Sequence, residues 1–459
     1  MAHPKFCGFI ALCFLAGCAK AHDAEERYDT RRLEMVIDRP ESGEETFVGF
    51  FDPEFDTYCR PGVTDDGQIR CVPWTVSDVN NYSDPECSQM VHVPQGETCP
   101  PRFASASISD GTCGWSDGHY PARVYEIASD EFLALTYQRS SRTGDCYPVP
   151  GGPQRVRRAT PLPPERFVSG RIVVETSTGA LARETVQWAD GTSGPHGVRD
   201  VWRDSSCQFR LSGPGAERTA CLSPRALQPG LHGADCMQAW AIDRQPECGP
   251  PEVGWGDATR DCGEPTVYVV GTLVEDPDAR SAPECPTYAD ASPVYQLEPA
   301  PAGFVPWLSS ELRGTGRLRR RVWVDDAGME WPDIVRYQDA ELGEACRPTV
   351  ASDQRCLPGY LSIRSRDQQL FDDPACSQPA IRLRPYACSV DFVVDSACDG
   401  AASRYTAIYR LAESVEGPIF RRDAVTSECV VFESLPDDRL FRLEPDVLGR
   451  FARVTRTRT

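Results

Sequence analysis

Lysine is almost missing from this chain: Lys5 and Lys20 are the only two, and every other basic residue is arginine. That scarcity removes a Schiff-base lysine, a Ser-x-x-Lys dyad and a P-loop lysine from the folded part, because each needs an ε-amino group at the reacting atom. Histidine is scarce too, and His92, His119, His196 and His232 share no short ligand spacing. After Cys18 the closest cysteines are ten residues apart, so the Cys-x-x-Cys knuckle of a structural zinc site does not occur. A Gly-x-Ser-x-Gly string occurs once, Gly114-Trp115-Ser116-Asp117-Gly118, and it leads into the strand pattern at Arg123 to Ile127, where a nucleophile elbow would open a helix. Gly314-Thr315-Gly316 leads into a strand pattern, where a dinucleotide loop would open a helix. On these grounds no metal, no cofactor and no catalytic residue are expected.

Positive charge is also short. With 48 Lys and Arg against 68 Asp and Glu the formal charge is −20, and loss of residues 1–17, which carry only Lys5, takes it to −21. Such a chain repels phosphate, so nucleic acid is not an expected partner, and a neutral or basic partner is favoured. Forty prolines and 36 glycines leave little room for long helices.

The N-terminus reads as an export signal. Lys5 gives a positive start, Phe6 to Phe14 a short apolar core, and Leu15-Ala16-Gly17-Cys18 a lipobox-like close. The expectation is removal of residues 1–17, a diacylglycerol thioether on Cys18, and a lipidated tether over 18–30. Several acyl chains hold a protein on a membrane far better than one. Ala19 follows the cysteine where aspartate would favour inner-membrane retention, which points to the outer membrane, on its periplasmic side or the cell surface.

Against these shortages stand 21 cysteines. Three belong to the signal, and the other eighteen form three sets of six: Cys59, Cys71, Cys87, Cys99, Cys113, Cys146; Cys207, Cys221, Cys236, Cys248, Cys262, Cys285; and Cys346, Cys356, Cys376, Cys388, Cys398, Cys429. The third and fourth members are 12 apart in every set. An even number per repeat in an exported chain reads as disulfides. Hairpin spacing predicts sequential pairing, first with second, third with fourth and fifth with sixth. Other features recur with the cysteines. Asp52, Asp200 and Asp339 each stand seven residues before a first cysteine; Asp84-Pro85-Glu86-Cys87-Ser88-Gln89 returns as Asp373-Pro374-Ala375-Cys376-Ser377-Gln378, with a worn copy at Ala234 to Gln238. Phe167-Val168 and Phe304-Val305 mark the junctions, which places the repeats at 31–166, 167–313 and 314–459.

Within each repeat the apolar pattern has period two. Leu33 to Ile37, Arg171 to Glu175 and Arg319 to Val324 open the repeats as half-buried strands, and Asp65-Asp66-Gly67, Ala189-Asp190-Gly191 and Asp326-Ala327-Gly328 supply turns. The fold class is all-β. Eight strands per repeat, four around the first two cysteines and four later, suggest a six-bladed propeller of double-blade units. The alternative is three tandem disulfide-stapled sandwich or barrel modules, which the short junctions disfavour.

The pattern of aromatic, Asp, Cys, Arg-Cys-Leu-Pro and Asp-x-x-Cys-x-Gln, seen from Tyr337 to Gln378, together with the lipobox, resembles uncharacterised cysteine-rich repeat lipoproteins of myxobacterial-type GC-rich bacteria. The resemblance spans nearly the whole mature chain. It implies an envelope location and carries no catalytic residue over. Two functions are expected from it and the residues together: a non-catalytic binding or structural scaffold engaging an envelope protein or glycan, or, as the alternative, an extracytoplasmic hydrolase such as a two-carboxylate glycosidase. The repeated aspartates could line a channel and hold calcium, but aspartates beside turns usually cap backbone amides. Trp74, Trp115, Trp255, Trp307 and Trp331 could stack on sugars, although most tryptophans in such repeats belong to the core.

Overall fold

A computed structural model describes residues 31–41, 43–74, 81–93, 101–107, 121–139, 145–150, 154–177, 179–210, 218–223, 225–227, 229–232, 239–243, 251–256, 266–274, 293–349, 354–358, 361–364, 370–383, 392–399, 402–415, 417–422, 428–432, 439–444 and 447–459. They are all-β, with two single turns of 3-10 helix. The main element is a 15-stranded antiparallel sheet. Unit 1 contributes β1 (Glu34–Pro40), β2 (Thr46–Asp52), β3 (Thr57–Val63) and β4 (Ile69–Pro73). Unit 2 contributes β5 (Ser169–Val174), β6 (Leu181–Trp188), β7 (Ser193–Asp200), β8 (Ser205–Arg210) and β9 (Arg218–Leu222). Unit 3 is preceded by β10 (Trp307–Arg313), which falls before the expected boundary at 314 but pairs with the next strand as β5 pairs with β6. Unit 3 itself contributes β11 (Leu318–Val324), β12 (Glu330–Asp339), β13 (Glu344–Pro348) and β14 (Cys356–Pro358), and β15 (Val454–Arg458) adds to the free side of β1. Order in space follows order in sequence from β1 to β14.

The same local chemistry shapes each unit. Gly43, Gly191 and Gly328, in the turn of the bulged inner hairpin of each unit, adopt φ of 82°, 87° and 76°, the left-handed conformation that these turns need and glycine takes without strain, whereas Gly67 (φ 74°) serves the following turn, between β3 and β4. The hairpin of the first two long strands carries a bulge at the same place each time, at Val36/Ile37, Glu184/Thr185 and Arg320/Val322. The cores match as well. Leu33, Phe50, Cys59 and Cys71 cluster in unit 1; Leu181, Val198, Cys207 and Cys221 in unit 2; Leu318, Tyr337, Cys346 and Cys356 in unit 3. Each cluster is completed by its neighbour: Val186 and Trp188 pack into the first, Trp323 and Trp331 into the second, Val454 into the third.

Adjacent units are joined through equivalent amides. Cys71 N donates to Val168 O (2.9 Å), Cys221 N to Pro306 O (3.2 Å) and Cys356 N to Ala452 O (2.8 Å). Register therefore equates Phe167, Val305 and Phe451, all buried. The junction runs one residue off a Phe-on-Phe alignment with Phe304, and Phe451 is its third member. The last of these contacts links the two ends of the sheet through one isolated pair, Arg355 with Arg453, so no closed barrel with a full ladder results. The strand order likewise does not show six four-stranded blades, because the inner halves of the units share edges instead of standing apart.

Between the inner strands the chain makes three outlying sheets, of seven, five and eight strands. They explain a second difference from expectation. Cys59–Cys71, Cys207–Cys221 and Cys346–Cys356 pair first with second, as the hairpin spacing requires. The third cysteine instead pairs with the sixth, Cys87 with Cys146 and Cys376 with Cys429, which corrects the expected Cys87 to Cys99, Cys113 to Cys146, Cys376 to Cys388 and Cys398 to Cys429. The cause is non-local strand pairing. Asn81–Tyr82 lies beside Thr136–Arg139, whose other neighbour is Cys146–Val149; Leu370–Phe371 lies beside Ile419–Arg422, whose other neighbour is Cys429–Phe432. The side chains of Cys99, Cys113, Cys236, Cys248, Cys262, Cys285, Cys388 and Cys398 lie outside the described residues, and so does Cys18.

Candidate functional site: a pocket on the second unit

The repeated aspartates do structural work. Asp52, Asp200 and Asp339 are buried at the end of the second strand of each inner hairpin. Each accepts hydrogen bonds from the turn amides that follow: Asp52 from Glu54 N, Asp200 from Trp202 N and Arg203 N, Asp339 from Glu341 N and Leu342 N. Each also holds an arginine. Arg32 reaches Asp52 at 2.6 Å, Arg203 reaches Asp200 at 2.7 Å and Arg317 reaches Asp339 at 3.0 Å. The same guanidinium groups donate onward to the junction carbonyls of Arg166, Phe304 and Arg450. The arginine directly precedes the recurring core leucine in units 1 and 3 (Leu33, Leu318) but follows the aspartate by three residues in unit 2. The contact is kept while its source moves. Turn capping, not a calcium channel, accounts for these acids, and among the described residues no group of three or more His, Cys, Asp or Glu is placed to hold a metal.

The shared Asp-Pro-x-Cys-Ser-Gln loops are also frame. Asp84 accepts from Ser88 N, Ser88 Oγ and Gln89 N, and Asp373 from Ser377 N, Ser377 Oγ and Gln378 N. Partial desolvation pushes the Asp84 carboxyl up, but the Ser88 hydroxyl and the amides of Gln89 and Ser88 outweigh it and hold the group below its ordinary value. The Gln378 amide is the largest cause of the same depression at Asp373, joined by the Ser377 hydroxyl and amide. Arg139 donates to Cys87 O and Arg422 to Cys376 O, so each loop is fixed to the strand opposite. Of the tryptophans, Trp331 and Trp255 are core, Trp307 is half-buried under the Arg218 guanidinium, and Trp74 is 60% exposed. Trp115 lies outside the described residues.

One concave feature breaks the repeat. On unit 2 a cavity of about 400 Å³ is lined by Ile172 and Val174 of β5, Ala182 and Glu184 of β6, Arg199 of β7, and Glu175, Ser177, Val201 and Asp204. That is the size of a small-ligand site. Glu184 is only 2% exposed. Its Oε1 accepts from Ser206 Oγ (2.6 Å) and Arg199 Nη1 (3.3 Å), whereas Oε2 has no hydrogen-bond partner. Arg199 also donates to Asp204 Oδ1 through Nε, at 3.0 Å. Glu175 accepts from Thr185 Oγ1. Gly197 faces Glu184 across the hairpin, where a Cβ would come within 3.0 Å of Oε2, so the glycine makes room for the carboxylate. Of the lining residues Val174 and Val201 are exposed apolar side chains, and Trp202, next to Val201 in the chain, is exposed as well.

Glu184 was not singled out by the motifs, yet a signal for it exists. It sits between Ala182 and Val186 on the inward register of β6, an acid in an apolar alternation. The described part contains no helix long and apolar enough to cross a membrane, and five disulfides fit an oxidising, extracytoplasmic compartment. The chain matches no family model, no curated protein and no solved structure.

Proposed function

We propose that this chain is a lipid-anchored protein of the bacterial cell envelope that works as a non-catalytic binding scaffold for an envelope protein or glycan. The observation that carries the reading is the fate of the repeated acids: Asp52, Asp200 and Asp339 are all spent on turn amides and arginine clamps. What varies between units is then left to recognition, on a frame ordered before any partner arrives, which lowers the entropy lost on binding. The lipobox at Leu15 to Cys18 supports the anchor and the disulfides support export. Cys18→Ser is expected to move the protein from the membrane fraction to the soluble one; normal processing and continued sedimentation with membranes would reject the anchor.

A hydrolase is the second reading, and one observation favours it. Glu175 and Glu184 line the same cavity and occur as a pair in unit 2 alone, as an acid pair breaking the symmetry should. Against it, Glu184 is already committed through Oε1 to Ser206 and Arg199. A panel of glycoside, ester and peptide substrates separates the two: the scaffold turns over none, while turnover lost on Glu184→Gln establishes the hydrolase.

A further inference from the structure

Unit 1 fills the matching space with its own chain. β15 lies on β1 as β5 lies on β6, with Arg458 opposite Val36 and Val174 opposite Glu184. The next amides agree: Thr459 N donates to Met35 O, and Glu175 N to Arg183 O. Val36 and Glu184 each face a glycine, Gly49 and Gly197, immediately before the bulge. In unit 1 the Arg458 guanidinium sits 3.4 Å from the Phe51 ring centroid and covers it, leaving Phe51 4% exposed above a fully buried Val36. In unit 2 the short Val174 replaces that arginine, Arg199 replaces Phe51, and the space is open. Three carboxylates, Glu175, Glu184 and Asp204, face it against one guanidinium.

Glu184 is not required by the frame, since valine serves at the same register in unit 1. A buried carboxylate oxygen without a donor costs free energy that valine avoids. The chain therefore keeps an acid where unit 1 makes do with valine, with Oε1 held by Ser206 and Arg199 and Oε2 left without a donor, beside a space that a guanidinium occupies one unit away.

We propose that the unit 2 pocket binds the guanidinium of an arginine side chain presented by a partner polypeptide, the group that Arg458 supplies to unit 1. Glu184 Oε2 and Glu175 offer acceptors for its planar donors, and the exposed Val174 and Val201 of the lining suit the aliphatic stem. The acidic balance of the whole chain favours the approach of such a partner. This deepens the scaffold reading and rests on it.

The test titrates the purified full chain with Nα-acetyl-arginine methylamide and with its neutral isostere, Nα-acetyl-citrulline methylamide. Saturable binding of the arginine probe is expected, weakened by roughly tenfold or more in the citrulline probe and in Glu184→Gln, as for loss of a charge-assisted hydrogen bond. Val174→Arg, at a position 43% exposed, rebuilds the unit 1 filling and should block the pocket without disturbing the core. Equal binding of the two probes, no saturable binding, or arginine binding unchanged in both variants would overturn the proposal. Those outcomes leave the scaffold reading standing, because that reading fails on substrate turnover and not on loss of this site.

Discussion

At the pairing two residues before Arg458, unit 1 sets Asp38 opposite Arg456, while unit 2 sets Val186 opposite Ile172 and unit 3 Trp323 opposite Ser310. The first is a buried bidentate ion pair, 2.6 and 2.7 Å, with both side chains less than a tenth exposed; the second is two aliphatic side chains on the same backbone. One frame thus accepts opposite chemistries at one point. Its definition lies elsewhere, in the bulge, the left-handed turn glycine, the aspartate clamp and the inner disulfide, which all three units share. The contrast gives a rule for reading the molecule: what recurs holds the frame, and what differs at a recurring position is free to serve recognition. Glu184 falls in the second group.

The largest effect expected concerns the outlying sheets, where stapling is long-range. Removing Cys87–Cys146, which closes 59 residues, should cost about 4 kcal/mol in the chain-entropy model, against about 3 kcal/mol for Cys59–Cys71, which closes 12; denaturant unfolding of the two double-alanine variants measures the difference. Repeat position extends third-with-sixth pairing to Cys236 and Cys285, and peptide mapping without reduction checks it. Next comes the exchange of fillings. Arg456→Ala strands a buried carboxylate on Asp38 and should cost about 3 kcal/mol or more, whereas Asp38→Val with Arg456→Ile, the unit 2 pair, should recover most of that loss. A double variant as unstable as the single one would show that the units do not share a frame.

A smaller effect attaches to Tyr337, which stands where unit 1 has Phe50 and unit 2 has Val198. Its hydroxyl donates to Thr46 Oγ1 at 2.7 Å, linking unit 3 to unit 1. Burial pushes its pKa from 10 up to about 12. A folded value above the unfolded one means that the contribution is complete below pH 10 and is lost as pH rises toward 12. Tyr337→Phe should cost about 1 kcal/mol at neutral pH and abolish that alkaline loss, read from unfolding midpoints between pH 8 and pH 12. Smallest is the acid response of the twin loops. The carboxyls of Asp84 and Asp373 are depressed in the fold, so their contribution is present above the ordinary carboxylate value and disappears as pH falls through the lowered one. Asp84→Asn and Asp373→Asn should each flatten the acid limb of the stability profile, to a similar extent if the loops are equivalent.

Much of the frame was legible in the chain itself. The cysteine spacing recurs three times, and Leu33 to Ile37, Arg171 to Glu175 and Arg319 to Val324 all fall on inner strands, because alternation and hairpin spacing are local signals. But Arg171 to Glu175 is level with β15 and not with Leu33 to Ile37, whose place in unit 2 is taken by the segment from Leu181. The aspartates at 52, 200 and 339 were readable as turn caps for the same reason. The outer disulfides were not, since the partner of Cys87 is fixed by pairing of Asn81–Tyr82 with a strand more than 50 residues later, which no local pattern records. The joining of units was hidden as well: it depends on amides at Cys71, Cys221 and Cys356 finding carbonyls far along the chain. Glu184 was visible as an acid in an apolar alternation, but its meaning came only from comparison with Val36 and Arg458 in space.

Amide hydrogen exchange at those three junctions tests the shared frame most directly. Cys71, Cys221 and Cys356 donate to Val168, Pro306 and Ala452, and in the native protein their segments should be protected to similar degrees, with Val454 to Arg458 as slow as Ser169 to Val174. Exchange of Cys356 and of the 454–458 segment at the rate of an open chain, beside slow exchange at Cys71 and Cys221, would contradict it: β15 would then not complete unit 1, and Arg458 could not stand for the group missing from the unit 2 pocket.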